Sequence, residues 1–250
     1  MLGCDPYALT DQESTAINDV SNKLPETIIE EFYSTVTIED VSNHAKALNS
    51  FAGEVWNNSK VIMKQMQELR GKIQNIDPKL KLWDQGYKFA QELRHKLSIG
   101  DVTVRSSDQY ADIFKLDKND WKQACNGGYT NLNFLEAAMA VNSSGSPHFY
   151  TNSTKQHEAS KTFALGRAIF EFLNSSSEEP IAIVSESYSE KQKRNRAFAA
   201  EFLAPKSLIQ QKLKSEYITD STIQSISDEF GVSNMVIKHQ IENHGLAHIL

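Results

Sequence analysis

The sequence predicts a mainly helical α+β protein in which a small sheet packs against helices. Apolar residues recur at helical spacing in several stretches, of which KTFALGRAIFEFL, residues 161–173, is the clearest. The run NFLEAAMAVN, residues 133–142, is short, largely apolar and followed by the turn-forming SSGSP, which is typical of a strand. With 250 residues, 40% of them hydrophobic, the chain is long enough to bury a core without disulfides.

Composition narrows the functional classes. A net charge of −6 argues against a broad electrostatic surface for nucleic acid. The two cysteines, Cys4 and Cys125, lie far apart and outside any metal-binding spacing, so neither a disulfide framework nor a thiolate zinc site is indicated. The N-terminus MLGCDPYALTDQE has no leader pattern, and no apolar run approaches the ~18 residues of a membrane span. We therefore expect a cytoplasmic protein that does not enter a membrane.

Residues 1–78 are predicted to form a helical N-terminal region. From Val41 to Ile73, apolar or small side chains recur alternately four and three residues apart, which is the heptad pattern of one long helix. The helix is expected to end before Asp77-Pro78, because a residue that precedes proline is pushed out of the helical conformation. Two arrangements remain open: a hairpin with the segment Leu24–Phe32, and a homodimer through a coiled coil of the Val41–Ile73 helix.

Residues 79–205 are predicted to form the central domain. The stretch LKLWDQGYKFAQELRHKLSIG has apolar residues at helical spacing and a natural stop at Gly100. Short strands are expected at DVTVR, residues 101–105, and within NFLEAAMAVN. Two further helices follow, one that begins near Ser160 and one that runs from near Glu190 to Pro205.

Residues 206–250 are predicted to form a C-terminal subdomain of two helices joined by a tight turn. Within ISDEFGVSNMVIKHQIENHGL, Gly231 supplies the turn and Ser233 caps the second helix. This is a helix-turn-helix pattern, which in many regulators places the second helix in the major groove of DNA. The second helix has Lys238 as its single lysine or arginine, and Glu242 opposes it. DNA binding and a purely structural helix pair both remain open.

Three segments in a fixed order carry a family resemblance: TFALGRAIFEFL, SYSEKQKRNRAFAAEFLAP and ISDEFGVSNMVIKHQIENHGL. Together with the upstream WDQGYKFAQELRHKL and LEAAMAVN, they resemble the ImmA/IrrE family of zinc metallopeptidases over Leu82–Leu246. The most specific piece is RAFAAEFLAP. The resemblance implies a small sheet over a zincin-like helix pair, followed by the helix-turn-helix-like subdomain. It also implies a bacterial setting in transcriptional regulation, toxin–antitoxin pairs or phage defence, in which active relatives cleave repressor proteins.

The metal helix of that family carries HExxH, in which two histidines bind zinc and the glutamate activates the bound water. Aligned on the resemblance, the two histidine positions fall on Arg167 and Glu171, and the general-base position falls on Ala168. The carboxylate ligand from the next helix falls on Gln192. The resemblance therefore implies a degenerate, catalytically inactive member of the family that binds no metal and needs no cofactor.

The replacements suggest what fills the degenerate site. Arg167 and Glu171 stand four residues apart, which is close enough on one helix for an ion pair. We expect the Arg167 guanidinium to pair with Glu171 and to hydrogen-bond the amide of Gln192, in part of the space that zinc occupies in the family. The alternative is that both charged side chains are exposed to solvent.

Two other functions remain open. The first is a metal-dependent peptidase that cleaves a repressor-like protein and uses non-standard ligands such as Glu171 and Glu190. A histidine of the polar loop SSGSPHFYTNSTKQHE, either His148 or His157, would complete its ligands. The second is a DNA-binding regulator that uses the C-terminal helices together with a basic run and gains affinity by dimerising.

The basic run EKQKRNR opens the last helix of the central domain and contains Lys191, Lys193, Arg194 and Arg196. Such a run is typical of a solvated helix face, and it also fits a patch that contacts a partner. We predict an inactive metallopeptidase-like protein with a regulatory, protein-binding role. Its expected partner is a repressor-like protein, a toxin-like protein or a component of a defence complex.

Overall fold

The computed structural model describes residues 8–73, 76–125, 130–152, 154, 157–175 and 179–250. Cys4 lies outside the described residues, and Cys125 is a half-buried free thiol.

Twelve α-helices and five short strands occur within these ranges. The helices are α1 (Asp11–Ser21), α2 (Glu26–Tyr33), α3 (Val41–Asn58), α4 (Lys64–Leu69), α5 (Leu82–Lys96), α6 (Gln109–Phe114), α7 (Lys118–Cys125), α8 (Glu158–Asn174), α9 (Glu190–Leu203), α10 (Lys206–Lys212), α11 (Asp220–Phe230) and α12 (Asn234–His244). The strands are β1 (Ala137–Val141), β2 (Pro147–Thr151), β3 (Ile181–Val184), β4 (Tyr217–Ile218) and β5 (His248–Ile249). None of the helices in the described ranges is both long and apolar enough to cross a bilayer.

Three strands form an antiparallel sheet in the order β2-β1-β3, and β4 and β5 form a separate parallel pair. Ala138 of β1 lies opposite Tyr150 of β2 and Ile183 of β3. These three side chains share a hydrophobic cluster with the N-terminal helices. Met139 and Phe149 belong to a second cluster, which contains α8 and α9. Because helices cover both faces of the sheet, β1 is buried along its whole length.

The α+β fold with a small sheet is confirmed. NFLEAAMAVN contains β1, but DVTVR is an irregular segment, so the strand predicted there is wrong. Val104 of this segment is buried in the core without strand pairing, which explains its apolar character. The sequence does not predict β2 or β3, because each is a run of only five or four residues, and β3 pairs with a strand on the other side of α8 in the chain.

The single helix predicted from Val41 to Ile73 is wrong. Helix α3 ends at Asn58, residues 59–63 are not helical, and α4 is a separate short helix. The interrupted heptad pattern therefore spans two helices that pack in different hydrophobic clusters, α3 with α1 and β1 and α4 with α8.

The turn between β1 and β2 holds the segment that separates α3 from α4. Asn142 Nδ2 donates to Val61 O at 2.9 Å, and Met63 N donates to Ser146 Oγ at 2.8 Å. A continuous helix would bond Val61 O and Met63 N internally. In the non-helical segment, the two bonds to the β1–β2 turn replace those helical bonds, so both groups remain paired.

The apolar side of α3 is used inside the chain. Val41, Ala45, Leu48 and Val55 are buried, and α3 packs against α1 and β1. The predicted hairpin partner, Leu24–Phe32, contributes mainly to α2, which lies against β3. These seam residues are consequently not exposed for a coiled coil with a second copy.

The helices predicted in the central domain are confirmed as α5, α8 and α9. Helix α9 packs against both α5 and α8, and α8 packs on the sheet. Gly86 marks a close approach of α5 to α9: a Cβ atom there would overlap Arg194 O and lie 2.9 Å from Phe198 N.

The two helices predicted near the C-terminus are confirmed as α11 and α12. Gly231 has a φ of +66°, which glycine adopts without strain, and Ser233 Oγ accepts a hydrogen bond from Val236 N. Gln240 Nε2 of α12 donates to Glu201 Oε2 of α9 at 2.9 Å. The pair is therefore joined to α9 by a buried polar contact as well as by the shared hydrophobic core.

Candidate functional site

Helices α8 and α9 bring together the positions that the family resemblance assigns to metal ligands. Arg167 and Glu171 lie one turn apart on α8, and both are buried. Helix α9 begins after Ser189, whose Oγ accepts a hydrogen bond from Gln192 N at 3.2 Å. Gln192 and Asn195, which stand three residues apart on α9, face α8 together.

Arg167 is the centre of this buried network and is only 1% exposed. Its Nε donates to Asn195 Oδ1 at 2.7 Å, and its Nη2 donates to Ser185 O at 2.7 Å and to Gln192 Oε1. Its Nη1 forms an ion pair with the carboxylate of Glu136. Burial lowers the pKa of Arg167 to about 10, and the Glu136 carboxylate opposes this change, so the guanidinium is charged at neutral pH.

The predicted burial of Arg167 and its bond to Gln192 are confirmed, but the predicted ion pair with Glu171 is wrong. Glu136, the residue before β1, is the carboxylate that contacts Arg167 directly. Its side chain is 17% exposed, so this ion pair lies at the boundary between core and solvent. Glu171 is joined to Arg167 through Asn195, which hydrogen-bonds both.

Glu171 is a buried carboxylate next to the arginine. Its Oε1 accepts a hydrogen bond from Asn195 Nδ2 at 2.8 Å, and its Oε2 lies 3.4 Å from Lys191 Nζ. Burial raises the pKa of Glu171, while the positive charge of Lys191 and the bond from Asn195 oppose the rise. The protonation of this group is therefore coupled to folding.

Gln192 uses both ends of its amide. Its Oε1 accepts from Arg167, from Ser185 N at 3.1 Å and from Asn195 at 3.2 Å. Its Nε2 donates to Ile183 O of β3 at 3.0 Å. A carboxylate at this position would accept from Arg167 but could not donate to the strand, so the amide is suited to bridging the arginine and the sheet.

The loop between β3 and α9 is fixed by an N-terminal helix. The hydroxyls of Ser187 and Ser189 donate to the carboxylate of Glu31 in α2 at 2.7–2.8 Å. Arg196 Nη2 donates to Ser185 O at 3.1 Å. The network around Arg167 thus depends on α2, on the β3–α9 loop and on both central helices.

A cleft of about 500 Å³ opens beside this network. Its lining includes Glu136 and Glu186, together with Ser34 and Ser187. Among the described residues that line it, there are two carboxylates and neither lysine nor arginine. Because Glu136 is paired with Arg167, the negative charge that the cleft offers to a basic group comes from the exposed Glu186.

The donor set at the predicted metal positions does not fit zinc, which binds to histidine, cysteine and carboxylate side chains. A guanidinium has no lone pair to offer a metal, Ala168 contributes a buried methyl group, and the Gln192 amide oxygen already accepts three hydrogen bonds. Across the described part of the chain, no group of three or more His, Cys, Asp or Glu side chains is placed to hold a metal ion.

The ligands suggested for a non-standard site are not gathered into such a group. His148 does not lie in a loop as predicted: it is buried in β2 and contacts Ser59 Oγ, and burial lowers the pKa of its imidazole to about 4. His157 and Glu190 are exposed, whereas Glu171 is buried. The loop prediction for His148 is wrong because β2 pairs with β1, which places this histidine in the sheet.

The four cations of the basic run have different surroundings. Lys191 and Arg196 take part in the buried network. Arg194 lies 5.8 Å from the centre of the Phe170 ring, and Lys193 is exposed. The run is therefore not a uniform solvated face, because three of its four cations contact other residues of the chain.

Lys238, the lysine of α12, forms an ion pair within the chain. Lys238 Nζ lies 2.9 Å from a carboxylate oxygen of Asp220 in α11. This contact reduces the positive potential that the helix presents, and such potential is the main source of affinity for phosphate.

Sequence reasoning misses Glu136, Asn195 and Glu31. Glu136 had a usable signal, because it is the one charged residue in the apolar run NFLEAAMAV. Asn195 had a weaker one, its spacing of three residues from Gln192. Glu31 had no local signal, since its hydroxyl partners lie 156 and 158 residues further along the chain.

No family model matches the chain, and no curated protein matches it. The resemblance to ImmA/IrrE metallopeptidases therefore rests on the sequence segments quoted above.

Proposed function

We propose that the chain is a catalytically inactive, metallopeptidase-like protein that binds a protein partner in a regulatory or defence setting. The observation that carries the proposal is Arg167, which fills the first metal-ligand position and is bonded on all sides in the core. On this proposal, α8 and α9 are the zincin-like helix pair, and α11 and α12 are the helix-turn-helix-like subdomain, which serves a structural role.

The chemistry at the site supports binding over hydrolysis. Peptide hydrolysis of this class needs a base that accepts a proton from the attacking water, and Ala168 has no such group. Arg167 is committed to four acceptors within the chain, so it is not free to stabilise a developing negative charge on a substrate.

The cleft beside Glu136 supports a retained binding surface. It opens at the edge of the network, where Glu136 is paired with Arg167 and the exposed Glu186 supplies negative charge. A basic segment of a repressor-like or toxin-like protein, or of a defence-complex component, fits this charge. In this role the chain holds the partner without cutting it.

The first experiment measures the zinc content of the purified chain after incubation with zinc and removal of free metal. We expect near-zero occupancy, in both the wild type and Glu171→Ala. About one zinc per chain in the wild type, lost in the Glu171→Ala variant, would overturn the proposal and put peptidase assays next.

A second experiment tests binding directly. The chain is mixed with candidate repressor-like and toxin-like proteins, and the mixture is analysed by size-exclusion chromatography and mass spectrometry. We expect a complex in which the partner remains full length. Fragments of the partner, formed only when the chain is present, would show an active peptidase.

A further inference from the structure

A second cleft, of about 650 Å³, lies where the segment after α4 meets α5, α8 and α9. Its apolar lining includes Ile73, Phe89, Phe170 and Leu173. No residue of this lining belongs to the cleft beside Glu136, so the two are separate. The volume is in the range of pockets that bind small ligands or short peptide segments.

Arg194 gives this cleft unused hydrogen-bond donors. Its Nε is buried and has no hydrogen-bond partner among the described residues, and its Nη1 lies 3.5 Å from Gln85 Oε1, at the limit of a hydrogen bond. A buried N–H without an acceptor is unfavourable. An anion that enters the cleft would supply the missing acceptor.

Arg70 is a second guanidinium in the same lining. Its Nη2 donates to Ser175 Oγ at 2.9 Å and to Glu179 O at 3.2 Å, which hold the side chain in position. No aspartate or glutamate belongs to the described lining, and the carboxylate nearest to Arg70 in charge effect, Glu179, lies outside it. The cleft therefore combines positive charge with an apolar surface, and charge-assisted hydrogen bonds are strong in such partly desolvated places.

We propose that this cleft binds the C-terminal carboxylate of a peptide whose last side chain is apolar. The planar guanidinium of Arg194 matches a carboxylate through two parallel N–H bonds. The last side chain then lies on the accessible apolar part of the lining, which Ile73, Ile76 and Pro78 provide. The choice of a peptide as the occupant rests on the proposed protein-binding function. The requirement for one anionic group beside one apolar group follows from the residues of the lining.

The test uses the full ¹⁵N-labelled chain and three small probes, followed by two-dimensional NMR. The probes are N-acetyl-leucine, N-acetyl-leucinamide, which lacks the charge, and N-acetylglycine, which lacks the apolar side chain. We expect N-acetyl-leucine to shift the amide signals of cleft residues such as Gly71 and Asn174, with a Kd on the order of 1 mM. Each of the other two probes should bind about tenfold more weakly.

Variants separate the role of Arg194 from a general effect of charge. Arg194→Gln should abolish the preference for N-acetyl-leucine over its amide. Lys193→Gln, which removes an exposed charge from the neighbouring position, should leave the preference unchanged. Signal dispersion in the same spectra shows whether each variant is folded.

Three results would overturn the proposal. They are equal affinity for the acid and the amide, equal affinity for N-acetyl-leucine and N-acetylglycine, and no shifts in the cleft of the wild type at millimolar probe. All of them leave the zinc measurement untouched, so failure of this site is distinguishable from failure of the proposed function.

Discussion

At the scale of single residues, the stability of the site depends on how Arg167 keeps its charge in the core. Moving an isolated guanidinium out of water costs several kcal/mol. Here that cost is offset by acceptors from three segments: the Glu136 carboxylate, the Ser185 carbonyl and two amides of α9. Because Ser185, Gln192 and Asn195 are buried as well, the loss of Arg167 removes a hydrogen bond from each of these buried acceptors.

We expect Arg167→Ala to lower the free energy of unfolding by about 3–5 kcal/mol, which is typical when one partner of a buried ion pair is removed. Urea denaturation followed by circular dichroism measures the change. Lys193→Ala, at an exposed position of α9, is the matched control and should change the value by less than about 0.5 kcal/mol. Equal effects of the two variants would contradict the buried network.

Glu171 makes stability depend on pH. Because burial raises its pKa above the ordinary value of 4.5, the folded state holds the proton more tightly than the unfolded state. The stability that this group contributes is fully present below pH 4.5 and is lost as the pH rises through the raised pKa.

Glu171→Gln tests this coupling, because the amide cannot ionise. We expect the variant to gain stability relative to the wild type as the pH rises from 4.5 to the raised pKa, and the difference to level off above it. Urea denaturation of both proteins at stepped pH measures the difference. A difference that is constant across pH would show that Glu171 has the same pKa in the folded and unfolded states.

At the scale of helices and strands, the contact between α5 and α9 depends on a missing side chain. Gly86 lets the backbone of α9 approach so closely that any Cβ would overlap Arg194 O. Since Arg194 lines the second cleft and neighbouring residues of α9 build the network, the position of α9 matters for both sites.

We expect Gly86→Ala to destabilise the protein by about 1–3 kcal/mol, because the helices must move apart. Gly53→Ala is the control, since a Cβ at this position of α3 meets nothing within 4 Å. Alanine has the better helix propensity, so this variant should gain up to about 1 kcal/mol. Thermal or urea denaturation measures the stability of the two variants. A gain in stability in both would contradict the close contact between α5 and α9 at Gly86.

At the scale of the whole molecule, the sheet joins two hydrophobic clusters. One cluster joins the sheet to the N-terminal helices, and the other joins it to α8, α9 and the C-terminal pair. Glu31 adds a polar link between α2 and the β3–α9 loop. We therefore expect the N-terminal region, residues 1–78, to unfold together with the central domain.

Leu48→Ala tests this coupling from one cluster to the other. Leu48 is buried on α3, and the reporter is Trp121, which is buried in the opposite cluster. In a background where the exposed Trp56 and Trp83 are replaced by phenylalanine, we expect a loss of about 2–5 kcal/mol, seen equally by Trp121 fluorescence and by circular dichroism. An unchanged Trp121 transition would show that the N-terminal helices unfold on their own.

Local sequence determines much of the helical framework. The apolar spacing around Phe89, Leu165 and Phe198 predicts α5, α8 and α9. Helical hydrogen bonds join residues only four apart, so the spacing of the buried residues can be recognised within a short stretch of sequence. The turn at Gly231 is also predicted locally, because glycine readily adopts the left-handed conformation that ends α11. Residue identity alone also shows that positions 167, 168 and 192 carry no histidine or glutamate.

Tertiary structure alone decided where the heptad pattern breaks, that β3 completes the sheet and which carboxylate meets Arg167. The break at residues 59–63 depends on bonds to the β1–β2 turn, about 80 residues away. Glu171 is four residues from Arg167 in the chain, yet Glu136 makes the ion pair because the sheet places its carboxylate next to Nη1 of Arg167. Contacts of this kind join residues that are distant in sequence, and local periodicity carries no information about them.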